Sequence, residues 1–330
     1  MSVLAHDPYG IAADTCMPLL TRALDPVEVE RALRRLDGWS GGEVRAIRAV
    51  RYKPGRRCLI EYDVELPCTE VMTLVAKARA RGADRRTFQL LQELRGRGFG
   101  DDSSDRISVP EPIAVIPELG VWLQRKIAGA TATECLAAAN GVAVAQRLAE
   151  AAHKVHTAGV PARRTHSMAD ELRILHQRLE LLAAGRPEWA PRLERLLDAC
   201  DRLGAATLAA SPSGIHRDFY PDQVLVDGER VYVLDFDLYA SGDPALDIGN
   251  CIGHITEQAL RTQADSLALA DRELALEDRF VELAGDGVRQ AVRVYALLTL
   301  VRHISLSAQR PERQPFTAEL LELCEERLLC

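Results

Sequence analysis

Seven aspartates fall within the thirty residues from Asp218 to Asp247: Asp218, Asp222, Asp227, Asp235, Asp237, Asp243 and Asp247. Between them lie two short apolar runs, Gln223–Val226 and Arg230–Leu234, separated by Asp227-Gly228. An Asp-Gly pair between alternating apolar residues is a strong hairpin signal. The segment therefore reads as a hairpin with carboxylates gathered at the strand ends. Stability alone does not favour that arrangement, because like charges repel and desolvation is costly. Turn chemistry accounts for Asp227 and Asp222 but not for the others. A divalent cation is the usual compensation, and hard oxygen ligands suit Mg2+, commonly held by one or two carboxylates plus phosphates.

The chain around this hairpin changes character along its length. Pro26–Leu36 reads as a helix with Pro26 at its first position, after an irregular lead or short helix over residues 1–25. Val44–Tyr52, Arg57–Leu66 and Val71–Ala76 are β-branched and alternating, with turns at Pro54-Gly55 and Pro67–Glu70, which predicts three antiparallel strands. A helix over Ala83–Arg95 follows, with Phe88, Leu91 and Leu94 on one face, broken by Gly96, Gly98 and Gly100. Two more strands are expected over Ile107–Val115 and Gly120–Ile127. From Thr131 onward the pattern is mainly helical: Asn140–Thr157, Met168–Ala184, Pro191–Leu208, and most of the chain after Ala245. The result is an α+β arrangement of two unequal lobes.

His216-Arg217-Asp218 with Gln223 five residues after the aspartate resembles the catalytic loop of the kinase superfamily, where an Asn holds the later position. Asp235-Phe236-Asp237 begins 17 residues after Asp218, where that superfamily places its metal-binding aspartate. The continuation Gly242-Asp-Pro-Ala-Leu-Asp247, with no activation segment and no Ala-Pro-Glu signature, is similar to the aminoglycoside phosphotransferase and choline kinase-like branch. The resemblance spans roughly residues 40–310. It implies a bilobal protein kinase-like fold, with a small β-rich N-lobe over 1–124 that binds nucleotide. A larger helical C-lobe over 125–330 would carry the catalytic loop, the metal-binding hairpin and the acceptor site.

The resemblance assigns roles residue by residue. Asp218 matches the catalytic base, with His216 in the same loop. Asp235 matches the magnesium ligand, supported by Gln223 and flanked by Asp237. Asp247 matches an aspartate that braces the loop from the following helix. Lys77, in Thr73-Leu-Val-Ala-Lys, matches the strand lysine that holds the α/β-phosphates, and only four of the 41 basic residues are lysine, which marks Lys77 as a specific choice. Glu93 is its candidate ion-pair partner, with Asp84 and Gln89 as rivals. Gln124 and Lys126 fall in the segment resembling the inter-lobe linker that meets the nucleobase. The implied activity is transfer of phosphate from ATP, or GTP, to a hydroxyl of a small molecule, with Mg2+ as cofactor.

Departures keep alternatives open. Gln223 stands where the superfamily has Asn, which motivates a catalytically impaired, nucleotide-binding scaffold as a second reading; a protein kinase is a third. No glycine-rich phosphate loop is present. Glu150, His153 and His156 share a helix face, but packing accounts for them better than a metal. From Thr256 to Asp286 eight acidic residues face three arginines, which would suit a cationic acceptor, though a solvated helix face explains them as well. A net charge of −7 predicts no broad surface for nucleic acid. The longest apolar run, Val294–Val301, is too short to span a bilayer. His6, Asp7 and Pro8 stand where a signal peptide would have its basic and apolar regions, and the eight scattered cysteines form no CxxC pair. The expectation is a cytoplasmic protein, monomer or homodimer, with free thiols.

Overall fold

A computed structural model of the chain describes residues 4–39, 41–67, 71–208 and 210–329. Part of the expected turn at Pro67–Glu70, together with Cys68 and Cys330, lies outside the described residues. The chain divides into two compact units, residues 1–128 and 129–330.

In the first unit the strands are β1 (Leu4–His6), β2 (Glu43–Lys53), β3 (Arg57–Glu65), β4 (Val71–Arg79), β5 (Ile107–Ser108), β6 (Pro112–Ile116) and β7 (Val121–Arg125). Six of them form one sheet in the order β1-β2-β3-β4-β7-β6, with β1 parallel to β2 and the other neighbours antiparallel. The β2–β4 block follows the alternation of its residues. Cys58, Ile60, Tyr62 and Val64 of β3 are fully buried, as are Leu74 and Ala76 of β4. Each such aliphatic side chain contributes about 1.5–3 kcal/mol of burial. Two short helices, α1 (Leu20–Ala23) and α2 (Pro26–Leu33), complete this core with Leu20 and Leu33, and the Tyr62 hydroxyl donates to the Ala23 carbonyl at 2.8 Å. Asp25 caps α2 by accepting from the Val27 amide, with Pro26 at the first position. Helix α3 (Arg85–Leu94) is capped by Asp84 and lays Phe88 edge-on against Trp122 of β7.

Two expectations are corrected here. The lead over 1–25 holds the short strand β1 as well as a short helix, α1. The strand expected over Ile107–Val115 is two pieces, β5 and β6, divided at Val109–Glu111, where Pro110 has no amide to donate to a ladder.

The second unit contains α4 (Ala132–Leu136), α5 (Gly141–Thr157), α6 (Met168–Gly185), α7 (Ala190–Ala206), α8 (Ala245–Gln263), α9 (Ala270–Ala284), α10 (Arg289–Ala308) and α11 (Thr317–Leu329). Capping boxes start α4 (Thr131 with Glu134) and α6 (Ser167 with Asp170). Helix α10 packs on α8 and α5 on α9. Glycines at 249 and 253 permit the first contact: a Cβ on Gly249 would lie 2.5 Å from the Tyr295 Cβ, and one on Gly253 2.7 Å from the Thr299 methyl. The helical segment Asp286–Ala308 is long and apolar enough to cross a membrane, yet 67% of its apolar stretch is buried inside the fold.

Short strands are set among these helices: β8 (Ala130–Thr131), β9 (Thr165–His166), β10 (Ser213–Ile215), β11 (Val224–Asp227), β12 (Arg230–Val233) and β13 (Ala240–Gly242). Strands β11 and β12 form the expected hairpin, registered Val224 to Val233 through Asp227 to Arg230, with β8 on the outer side of β11. Strand β13 lies between β10, antiparallel, and β9, parallel.

Candidate active site

The loop after β10 and the segment after β12 come together at one end of the hairpin. The His216 ring makes the joint: its Nε2 lies 2.6 Å from the Leu234 carbonyl, and the ring packs 4.7 Å from that of Phe236. Its other nitrogen, Nδ1, accepts the Asp218 amide at 3.3 Å. A second tie runs from the Leu234 amide to the Gln223 carbonyl at 2.8 Å. Gln223 precedes Val224 and Leu234 follows Val233, so this bond extends the hairpin register by one pair. Gln223 and Asp235 consequently stand at the same end of the hairpin.

Asp247, at the start of α8, holds the loop. Its carboxylate is wholly buried and accepts the His216 amide at 2.8 Å and the Arg217 amide at 2.7 Å. His156 of α5 reaches the same carboxylate at 2.9 Å through Nε2. His156 is thus a bracing residue, and His153 packs edge-on against Phe280. One helical turn beyond Asp247, buried Asn250 donates to the Phe219 carbonyl at 2.8 Å. The Asn250 side-chain oxygen in turn takes Arg302 of α10 and, at 3.4 Å, the Thr299 hydroxyl. Asp218 is therefore bracketed by backbone bonds to Asp247 on one side and to Asn250 on the other.

Two backbone positions are unusual. Arg217 has φ 70° and Asp235 φ 58°, both in the left-handed region. Aspartate visits that region readily, whereas arginine pays for it, and such conformations persist where surrounding bonds fix them. At Arg217 the Asp247 carboxylate does so.

Burial is the main cause that raises the Asp218 pKa above the ordinary aspartate value. The charges of His216 and Arg302 oppose the rise, and those of Asp235 and Asp247 add to it. Asp235 is thus close enough for its carboxylate to act on that of Asp218. The Gln223 side-chain amide is oriented by a 3.3 Å bond from Nε2 to the Tyr220 hydroxyl. Tyr220 itself stacks on His254, ring centres 4.2 Å apart. Among the described residues no group of three or more His, Cys, Asp or Glu side chains could hold a metal alone. An Asp and a side-chain amide do fit magnesium that arrives with phosphate oxygens as its other ligands.

In the first unit Lys77 lies on β4, half-buried, with its ammonium over the Trp122 ring at 5.0 Å from the centroid. Among the described residues no ion pair joins it to Glu93. Glu93 lies on the exposed face of α3, one residue before buried Leu94, and Asp84 is occupied as a helix cap. Gln124 is buried on β7 and pairs with Val75, and Lys126 makes a 2.6 Å ion pair with Glu61.

The acidic stretch 256–286 is not an open negative face. Glu257 pairs with Arg261 and Arg313, Glu277 with Arg289 and Arg293, Asp278 with Arg289, Glu282 with Arg279, and Asp271 with Arg272. Glu273 and Glu277 line a cavity of about 400 Å³ together with Arg293 and Arg327. Burial raises the Glu273 pKa, and its carboxylate accepts the Thr256 hydroxyl at 2.6 Å.

Solved structures share this fold. A choline/ethanolamine kinase family protein from Mesorhizobium loti is 16% identical, with 91% of this chain and 93% of that one covered and a TM-score of 0.58. A choline kinase from Streptococcus pneumoniae is 13% identical over 87% and 94%, with a TM-score of 0.58. A spectinomycin phosphotransferase, solved in complex with ADP and spectinomycin, is 11% identical over 86% and 89%, with a TM-score of 0.56. No curated protein matches the chain in sequence. The model of the phosphotransferase enzyme family matches residues 68–283, a span that takes in Lys77, the His216–Asp218 loop, the hairpin and the Asp247 brace. The chain, an α+β protein of kinase-like fold, belongs to the phosphotransferase enzyme family.

Proposed function

We propose that the protein transfers the terminal phosphoryl group of ATP, or of GTP, to a hydroxyl of a small molecule, with Asp218 as the base. The observation that carries this reading is the pairing of Asp218 and Asp235. Two carboxylates on separate backbone segments are brought to one end of the hairpin by the His216 and Asp247 bonds, and the Asp235 charge acts on Asp218. Such a pair fits one carboxylate for the acceptor and one for a cation carried by the nucleotide. The ADP in the spectinomycin phosphotransferase supports nucleotide as the donor.

In this reading the bracketed loop fixes the Asp218 carboxylate against a bound hydroxyl. Asp218 orients that hydroxyl and accepts its proton as the oxygen forms its bond to phosphorus. Burial and the Asp235 charge both raise the affinity of Asp218 for that proton. Asp235 and Gln223 would hold Mg2+, which when bound neutralises phosphate charge. Lys77 on β4 would pair with the nucleotide phosphates, its ammonium exchanging the Trp122 ring for oxygen ligands. The first unit then contributes to nucleotide binding and the second carries the base and the acceptor site.

Thermal unfolding with Mg2+, ATP, GTP and each component alone tests the proposal. A nucleotide at about 100 times its dissociation constant stabilises by roughly 2.7 kcal/mol. The expected result is a magnesium-dependent shift that Asp235→Ala abolishes and Asp218→Asn retains. The absence of a shift with either nucleotide would overturn the activity and leave a scaffold of kinase-like fold. Turnover by Gln223→Asn reports on the second ligand: a rise would mean that glutamine supports the metal poorly.

A further inference from the structure

Tyr220 and Gln223 stand at the two ends of one tight turn. Pro221–Gln223 form a single 3₁₀ turn, closed by the Gln223 backbone amide donating to the Tyr220 carbonyl at 2.8 Å. In such a turn side chains three residues apart stand one above the other. The two side chains therefore share a side of the turn, and the Gln223 amide nitrogen, Nε2, donates to the Tyr220 hydroxyl at 3.3 Å. The turn is itself tied down. Asn250 of α8 holds the Phe219 carbonyl just before it at 2.8 Å, and Asp222 within it accepts the Thr133 hydroxyl of α4.

The tyrosine ring is fixed as well. It lies nearly flat on the His254 imidazole, with 16° between the planes and 4.2 Å between ring centres. His254 in turn meets His303 of α10 edge-on at 4.3 Å. Asn250 and His254 are four residues apart on α8, so one face of that helix holds both the backbone before the turn and the Tyr220 ring. The hydroxyl is thus an acceptor in a fixed place. Glutamine needs one. It has a rotatable bond more than asparagine and gives up more rotamer freedom when its amide is ordered. The two ends of that amide also differ in use, since magnesium takes oxygen ligands and an N–H group only donates. The bond to Tyr220 occupies the nitrogen and leaves the oxygen as the ligating end.

We propose that Tyr220 is a positioning residue: its hydroxyl, steadied by the stack on His254, fixes the amide nitrogen of Gln223 and so commits the amide oxygen to the cation that Asp235 also serves. Gln223 and Asp235 already stand at the same end of the hairpin, joined through the Leu234 amide and the Gln223 carbonyl. The extra methylene of Gln223, where the kinase superfamily has an asparagine, is then compensated inside the same turn. Asparagine at this position would be too short to share the Tyr220 hydroxyl and would gain nothing from it. This inference rests on Gln223 and Asp235 being the magnesium ligands of a phosphotransferase.

The full chain at saturating ADP is melted at increasing Mg2+, and the concentration that gives half of the magnesium-dependent shift is read. A merely structural hydroxyl would not move that half-point. Tyr220→Phe keeps the ring and its stack and removes the hydroxyl, so the half-point should rise about two- to tenfold. When Gln223→Asn is already present, adding Tyr220→Phe should change it by less than about twofold. His254→Phe, which keeps a flat ring under Tyr220, should retain the parent half-point, and His254→Ala should raise it. Binding of Mn2+ in the presence of ADP, followed by electron paramagnetic resonance, repeats the comparison at a temperature where the variants are folded. An unchanged half-point in Tyr220→Phe, or the same rise with and without Gln223→Asn, would overturn the role of Tyr220. The parent's own shift with Mg2+ would then leave the phosphotransferase reading in place. A parent with no magnesium-dependent shift would remove both.

Discussion

Replacing Asp247 by alanine should unfold the second unit far more easily than an average core substitution. The Asp247 carboxylate is wholly buried, and its two oxygens accept three bonds: the His216 amide at 2.8 Å, the Arg217 amide at 2.7 Å and the His156 ring at 2.9 Å. Alanine removes every acceptor and strands three donors where no other acceptor is at hand. Hydrogen bonds to a charged group contribute about 1.5–3 kcal/mol each, but their losses do not add fully, because the loop relaxes and water enters. Breaking a buried charged network of this kind costs about 3–5 kcal/mol. For a unit of about 200 residues, 1 kcal/mol is roughly 2–4 °C of melting temperature, so the fall is on the order of 6–20 °C. Asp247→Asn keeps the shape and one oxygen, turns an N–H toward a neighbouring donor, and should lose an intermediate amount. Far-UV circular dichroism suits the measurement because most of the helix lies in this unit. A His156→Ala and Asp247→Ala double-mutant cycle should show coupling of at least about 0.5 kcal/mol. A melting point for Asp247→Ala within 2 °C of the parent would refute the argument that this carboxylate holds the His216–Asp218 loop.

The remaining predictions separate function from stability. Asp218→Asn should lower turnover at least about a hundredfold while raising the melting temperature slightly. The ionised carboxylate is disfavoured by burial and by Asp235, so its removal relieves the fold at neutral pH, and a melting temperature lower than the parent's would contradict this. His254 and His303 are buried side by side, 4.3 Å between ring centres, and burial, then neighbouring cationic groups, holds the pKa of both well below 6.5. The unfolded chain therefore binds protons below pH 6.5 that the folded chain refuses. The stability these two residues contribute should be complete above that pH and fall beneath it by up to about 1.4 kcal/mol per unit for each histidine. Urea midpoints from pH 8 to 5 test the trend, and His254→Gln should flatten it; equal midpoints at pH 7.5 and 5.5 would sink it. A Cβ on Gly214 would fall 1.9 Å from the Tyr239 hydroxyl, which donates to the Val160 carbonyl at 2.8 Å. Gly214→Ala should thus cost about 1–3 kcal/mol, measurable by the same titration.

The parts of the site that lie close together in sequence were legible there. The resemblance of the His216-Arg217-Asp218 loop to the kinase superfamily singles out Asp218, Gln223 and Asp235, and the hairpin that joins them is local, its register following from an Asp-Gly turn. The supports that cross the fold were not legible. Asn250 reaches back 31 residues to Phe219, and Arg302 reaches across 131 residues to Glu171. No local pattern encodes contacts of that kind, although Asn250 does share a helix face with Asp247. Glu93, expected beside Lys77, lies on the outer face of α3 for a reason the sequence did contain. With Phe88, Leu91 and Leu94 turned inward, the 3.6-residue period carries position 93 outward. Strand β1 and helix α1 span three and four residues, too few for any period to show.

Charge was the least legible property of all. The chain uses arginine for nearly all its positive charge, so a sequence reading has no ground for separating a paired guanidinium from an unpaired one. Counting signs along a segment fails for the same reason. The acidic stretch 256–286 counts as strongly negative in sequence because its partners Arg289, Arg293 and Arg313 lie beyond its end and fold back onto it. Whether a charged side chain finds its counter-ion depends on residues far away in the chain.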